Sequence, residues 1–156
     1  MSDATPLMRV VLRRANAAVH FVAETVGGVQ VSIDGAPASG GQGLGARPME
    51  LLLAALGGCS AIDVVGILAK QRQRVDDITV AVEGQRAGGE PSLFERIHVH
   101  FTVRGPGDAA AVARAIALSM DKYCSVARVL EQTASITYSH DLIAPAAATA
   151  AGSTNA

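Results

Sequence analysis

The stretch that most limits what this chain can become is Met49 to Ala69, MELLLAALGGCSAIDVVGILA, in which almost every position is apolar. No polar stripe is left over its central two to three turns, and a helix that is apolar all round has to be covered on every side. Its most apolar run, Leu51 to Ile62, lies between Glu50 and Asp63 and is about twelve residues long, whereas a membrane span takes roughly 20. The expectation is a buried helix, from about Pro48 to about Arg74, that does not cross a membrane.

Around it the pattern is mixed. LMRVVLRR, AVHFVAETVGG and VQVSIDG, within residues 7 to 34, read as an antiparallel meander of β-branched segments between turn signals. The Gly-rich APASGGQGLGARP leads into the helix. Beyond it VDDITVAVEGQRA and FERIHVHFTVRG alternate apolar and polar residues about a GGEPS turn, as a hairpin of the same sheet. DAAAVARAIALSMD, from Asp108, carries an N-cap and helical spacing; a shorter helix begins near Cys124, and SITYSHDLI closes the pattern as a strand. The order is that of an α+β domain over residues 1 to 143, with a disordered tail from Ala144 to Ala156. One sheet covers one side of the apolar helix, and a chain of 156 residues has little else for the other. A second copy of the chain, in a symmetric dimer, is expected to supply the cover.

The formal net charge is -1, Lys and Arg are scattered, and the aromatics are two Tyr and three Phe without a Trp. This composition offers neither a basic patch nor stacking platforms, so neither nucleic acid nor acidic lipid is an expected partner. MSDATPLMRVVLRR has acid before base and no apolar core of a leader, which points to the cytoplasm. In that reducing setting the two cysteines, Cys59 and Cys124, are structural thiols or redox groups rather than a permanent staple.

Cys59 sits mid-helix after Gly57 and Gly58, each of which weakens a helix by about 1 kcal/mol and needs a packing or access reason. Cys124 opens a short helix behind Lys122, where the helix terminus and the cation both favour thiolate, so it looks as reactive as Cys59. Glu50 lies roughly 180° around a continuous helix from Cys59 and reaches it only if the first turn bends. Asp63, at i+4 from Cys59, opposes thiolate there and is expected to pair with a cation. Arg47, Arg13 and Arg14 are candidates for lowering a thiol pKa or orienting an oxygen ligand. His98 and His100 share a strand face but have no third ligand at metal spacing, so no metal is expected. GGQGLGA imitates a dinucleotide fingerprint without its strand or its downstream acid, so no cofactor is expected, and Ser60, in GCSAI, lacks a nucleophile elbow.

RPMELLLAALGGCSAIDVV, taken with LSMDKYCSVARVL, resembles the OsmC/Ohr family of osmotically inducible and organic hydroperoxide resistance proteins, up to about Leu142. The resemblance implies an intertwined α+β homodimer with antiparallel sheets, a long buried central helix and two sites at the subunit interface. It also implies thiol-dependent reduction of organic hydroperoxides, with Cys59 attacking the peroxide and Cys124 resolving, and a dithiol or protein thiol as reductant. Glu50 is counted with them among the catalytic candidates. The Ohr-type N-P-E-Q is replaced by Pro48, Met49 and Glu50, and Ser125 stands where Ohr-type proteins have Pro after the resolving cysteine. G-x-R-P-x-E-L and K-Y-C-S-V place the chain nearer the YhfA-like branch. The alternative reading is a non-catalytic dimer that binds a small apolar molecule or senses oxidants.

Overall fold

The computed structural model describes Thr5 and residues 7–145. Of the tail expected to be disordered, residues 146–156 lie outside the described residues. The chain divides into two compact units, one up to Leu52 and one from Leu53 onward.

The first unit is the expected meander. Strands β1 (Val10–Arg14), β2 (Phe21–Thr25) and β3 (Gln30–Ile33) pair antiparallel in chain order. The Gly-rich connection after β3 is organised by Asp34, whose buried carboxylate accepts the backbone N–H groups of Gly35, Gln42 and Leu44 at 2.8 to 3.0 Å. Gly41 and Gly45 are needed there because a Cβ would fall 1.8 Å from the Gly35 carbonyl oxygen and 2.4 Å from the Ser32 backbone. The dinucleotide look-alike is therefore a loop wound on its own carboxylate.

Helix α1 (Pro48–Lys70) carries the chain from the first unit into the second. It starts on Pro48, and the Glu50 carboxylate reaches back to the Arg47 N–H at 2.9 Å, half of a capping box. It ends four residues before the expected Arg74. Arg72 turns left-handed (φ 57°), and Arg72 and Gln73 donate back to the Ala69 and Leu68 carbonyls in a Schellman closure.

Within the second unit β4 (Asp77–Arg86) and β5 (Phe94–Arg104) form the expected hairpin. α2 (Ala109–Leu118), a single π turn (Ser119–Tyr123) and α3 (Ser125–Leu130) then lead to β6 (Ser135–Ile143), which pairs with β5 in parallel. Two expectations are corrected by this. The hairpin does not extend the N-terminal sheet but belongs to a second three-stranded one, and that sheet is mixed rather than antiparallel. The reason is connectivity: the helical crossover from β5 delivers β6 to the free edge of β5 running the same way.

The alternation of β5 sorts its faces. Phe94, Ile97, Val99, Phe101 and Val103 are buried, with Leu56, Val64 and Leu68 of α1 and Val112, Ala115 and Ile116 of α2 also in the core. Gly57 shows its packing reason, since a Cβ there would meet Val82 of β4 at 3.0 Å. The opposite side of α1 is bare. Ala54, Ala55, Gly58, Ile62, Val65 and Ala69 are exposed, Ile62 by 74 %, and 28 % of the helix's most apolar stretch is buried. At 23 residues α1 outruns the apolar run read from the sequence and is long and apolar enough to cross a membrane; within this chain only Leu56, Gly57, Ser60, Val64 and Leu68 of it are buried, so the helix expected to be buried on every side is covered on one.

Hydrogen bonds from Leu44, Gln42 and Gly35, in that order, hold the Asp34 carboxyl below the usual carboxylate range. A depressed folded pKa contributes stability above the unfolded value of about 4, and loses it as pH falls through the folded one. Asp34→Ala is expected to lower the urea midpoint at about pH 7, and its deficit against wild type should shrink by about pH 2. Equal midpoints at neutral pH would show that the carboxylate does not hold this loop.

Candidate active site

Cys59 and Asp63 are four residues apart on α1 and so share one face of it. The π turn carries the chain back toward that face: the Cys124 N–H closes it on the Ser119 carbonyl at 2.8 Å, and Cys124 itself is extended (φ -67°, ψ 104°) as the N-cap of α3. One extra residue in a helical turn re-aims the side chains beyond it, and such turns recur at functional sites. Here the result is a three-residue cluster. The two Sγ atoms and an Asp63 carboxylate oxygen all lie within 4.8 Å of one another.

The two sulfurs differ in access. Cys59 is half-buried, whereas Cys124 is wholly buried and its Sγ accepts the Ala127 N–H at 3.4 Å. Burial pushes the Cys124 thiol up to about 11, and the neighbouring Cys59 sulfur adds to the rise, while the N–H groups of Ala127 and Val126 oppose it with less effect. The expectation that Cys124 is as reactive as Cys59 is therefore corrected. Desolvation outweighs the helix terminus, and Lys122 sits 5.1 Å above the exposed Tyr123 ring.

Asp63 has no ion-pair partner among the described residues, against the expected cation. Instead the buried Ser119 hydroxyl lies 3.2 Å from both its Oδ2 and the Ser60 carbonyl, and its one proton serves the two acceptors. Ser60 is a structural hydroxyl, donating to the Leu56 and Gly57 carbonyls. A cleft of about 550 Å³, lined by Ile62, Asp63, Ile67, Leu118 and Tyr123 among others, opens beside the cluster.

Glu50, Arg14, His98 and His100 have partners of their own. α1 is unbroken from Pro48, and the Glu50 carboxylate is taken by the Arg47 N–H in its first turn. Arg14 donates to the carbonyls of Ala17 and Ala18, in its own turn. Arg13 lies on β1 with it. His98 and His100 bond along β6 to Thr137 and Ser139, and His100 also meets Asp141 at 3.2 Å. Ser119 was not singled out from the sequence. Its signal was a lone hydroxyl in the apolar face of AIALSM, five residues ahead of a cysteine.

Known proteins resemble this chain in sequence and in fold. The family model described as OsmC-like protein matches residues 40–139. Protein YhfA of Escherichia coli (strain K12) is 47 % identical over 125 residues, covering 80 % of this chain and 90 % of YhfA. A hypothetical protein from Aquifex aeolicus VF5 superposes with a TM-score of 0.79 at 30 % identity, over 91 % of this chain and 100 % of that one. An organic hydroperoxide resistance protein OsmC from Legionella pneumophila shares the fold, with a TM-score of 0.68 at 14 % identity over 89 % of this chain and 99 % of its own. On the extent of the family match and the identity to YhfA, this chain belongs to the OsmC-like family.

Proposed function

We propose that this protein is a cytoplasmic, thiol-dependent peroxidase of organic hydroperoxides, in which Cys59 attacks and Cys124 resolves. The observation that carries the reading is the meeting of the two sulfurs within 4.8 Å, one accessible and one buried. The name of the Legionella pneumophila neighbour, a hydroperoxide resistance protein, supports it by analogy.

In the first step the Cys59 thiolate displaces the alcohol from ROOH by attack on the O–O bond; a proton goes to the leaving alkoxide, and the sulfur becomes a sulfenic acid. The Cys124 thiol then attacks that sulfur. It gives up its proton, the hydroxyl leaves as water, and a disulfide remains. A small dithiol or a protein thiol restores both sulfurs by exchange. The burial of Cys124 suits it to the second role, because it is shielded from bulk oxidant yet lies within 4.8 Å of the sulfur that becomes the sulfenic acid. Glu50, as the cap of α1, serves the site by fixing the start of the helix that carries Cys59.

The second copy enters through the bare face of α1. Ala55, Gly58, Ile62, Val65 and Ala69 recur every three or four residues, and nothing within 4 Å would meet a Cβ at Gly58 or Gly66. Small residues at that spacing let two helices approach closely, so we place the homodimer contact there.

Two outcomes are expected. Cys59→Ser should abolish consumption of cumene hydroperoxide with a dithiol present, and Cys124→Ser should hold Cys59 as a sulfenic acid or mixed disulfide; turnover that survives Cys59→Ser contradicts the reading. In sedimentation the wild type should run as a dimer and Ile62→Glu should shift it toward monomer, whereas a monomeric wild type would remove the second copy from the account.

A further inference from the structure

We propose that the reduced Cys59, Asp63 and Cys124 form a binding site for a thiophilic divalent d¹⁰ cation such as zinc or cadmium. The inference stands on the donor set and does not depend on peroxide turnover.

The donors come from rigid elements: Cys59 and Asp63 are neighbours at i and i+4 on α1, and Cys124 is fixed at the N-cap of α3 by the closure of the π turn. Their atoms lie within 4.8 Å of one another. A tetrahedral zinc, with bonds of about 2.3 Å to sulfur and about 2.1 Å to oxygen, draws its ligands to about 3.5 to 3.8 Å apart. A contraction of about 1 Å, within reach of side-chain rotation, closes the gap.

Two sulfurs and one carboxylate select against calcium and magnesium, which take oxygen, and suit zinc or cadmium. The surroundings agree with a cation. Asp63 is a partly buried carboxylate without an ion pair among the described residues, set against two groups that turn anionic when they lose their protons. Binding of M²⁺ releases the two thiol protons to solvent and leaves a cluster of net charge -1, removing most of that repulsion. The Ser119 hydroxyl at 3.2 Å already fixes Oδ2 as an outer-shell partner. Because Asp63 lines the cleft and Cys59 is half-buried, the fourth position faces solvent, as in a three-ligand site that keeps a water. The His98 and His100 pair takes no part, since its ring nitrogens are engaged along β6. The metal-loaded and disulfide forms use the same sulfurs and exclude each other.

The test is titration of the freshly reduced full chain with cadmium chloride, monitored by the thiolate-to-cadmium charge-transfer band, with zinc as competitor. The expected result is a band that saturates at one cadmium per chain and is displaced by zinc. Ser119→Ala, checked for folding by circular dichroism, should weaken binding about 10- to 100-fold, and Asp63→Asn at least as much. The absence of a band at one equivalent in the wild type would overturn the site. Unchanged affinity in a folded Asp63→Asn would overturn it as well, by reducing it to a dithiol chelate.

Discussion

The packing of the turn before Cys124 against α1 is the contact on which the chemistry depends. Ser119 is the hinge of that contact: its hydroxyl holds both the Ser60 carbonyl and the Asp63 carboxylate of α1, while its own carbonyl receives the Cys124 N–H. Without that seat Cys124 would be one more buried thiol in a short helix. With it, two cysteines far apart in the chain come together beside one carboxylate. A buried hydroxyl shared between two acceptors is costly to leave unsatisfied, so the contact is specific as well as stabilising.

The second constraint is the one the sequence announces first. α1 must show an apolar surface on every side, and in the single chain it is half used: Leu56, Val64 and Leu68 are buried, while Ile62 and Val65 are exposed. The mid-helix glycines divide the same way. Gly57 makes room for Val82, and Gly58 faces nothing within this chain. The apolar residues of the N-terminal strands behave like the bare side of α1, with Val10 and Leu12 each more than half exposed. A chain with so few aromatics has limited means to cover such faces alone, and the bare face of α1 is the one on which the proposed dimer rests.

Much of the fold was legible in local pattern. The meander, the long helix, the hairpin, the Asp108 cap and the last strand each leave a signal within about ten residues. What escaped was non-local. That the hairpin belongs to a second sheet is a matter of long-range pairing, and the parallel pairing of β5 with β6 leaves no trace in either strand alone. At the site both cysteines are legible by type and context, but their difference is not, because helix terminus and neighbouring lysine are readable from sequence and the burial of Cys124 is not. The partner of Asp63 is illegible for a different reason: Ser119, whose hydroxyl it accepts, lies on another element far along the chain.

The central claim is that Cys59 and Cys124 act as a coupled pair, and the most direct test is the intact mass and free-thiol count of the reduced protein before and after one equivalent of organic hydroperoxide. The account predicts that both thiols disappear, that no oxygen mass is added, and that a dithiol restores them. Two thiols left unchanged, or an oxygen retained on Cys59 with Cys124 still free, would contradict it.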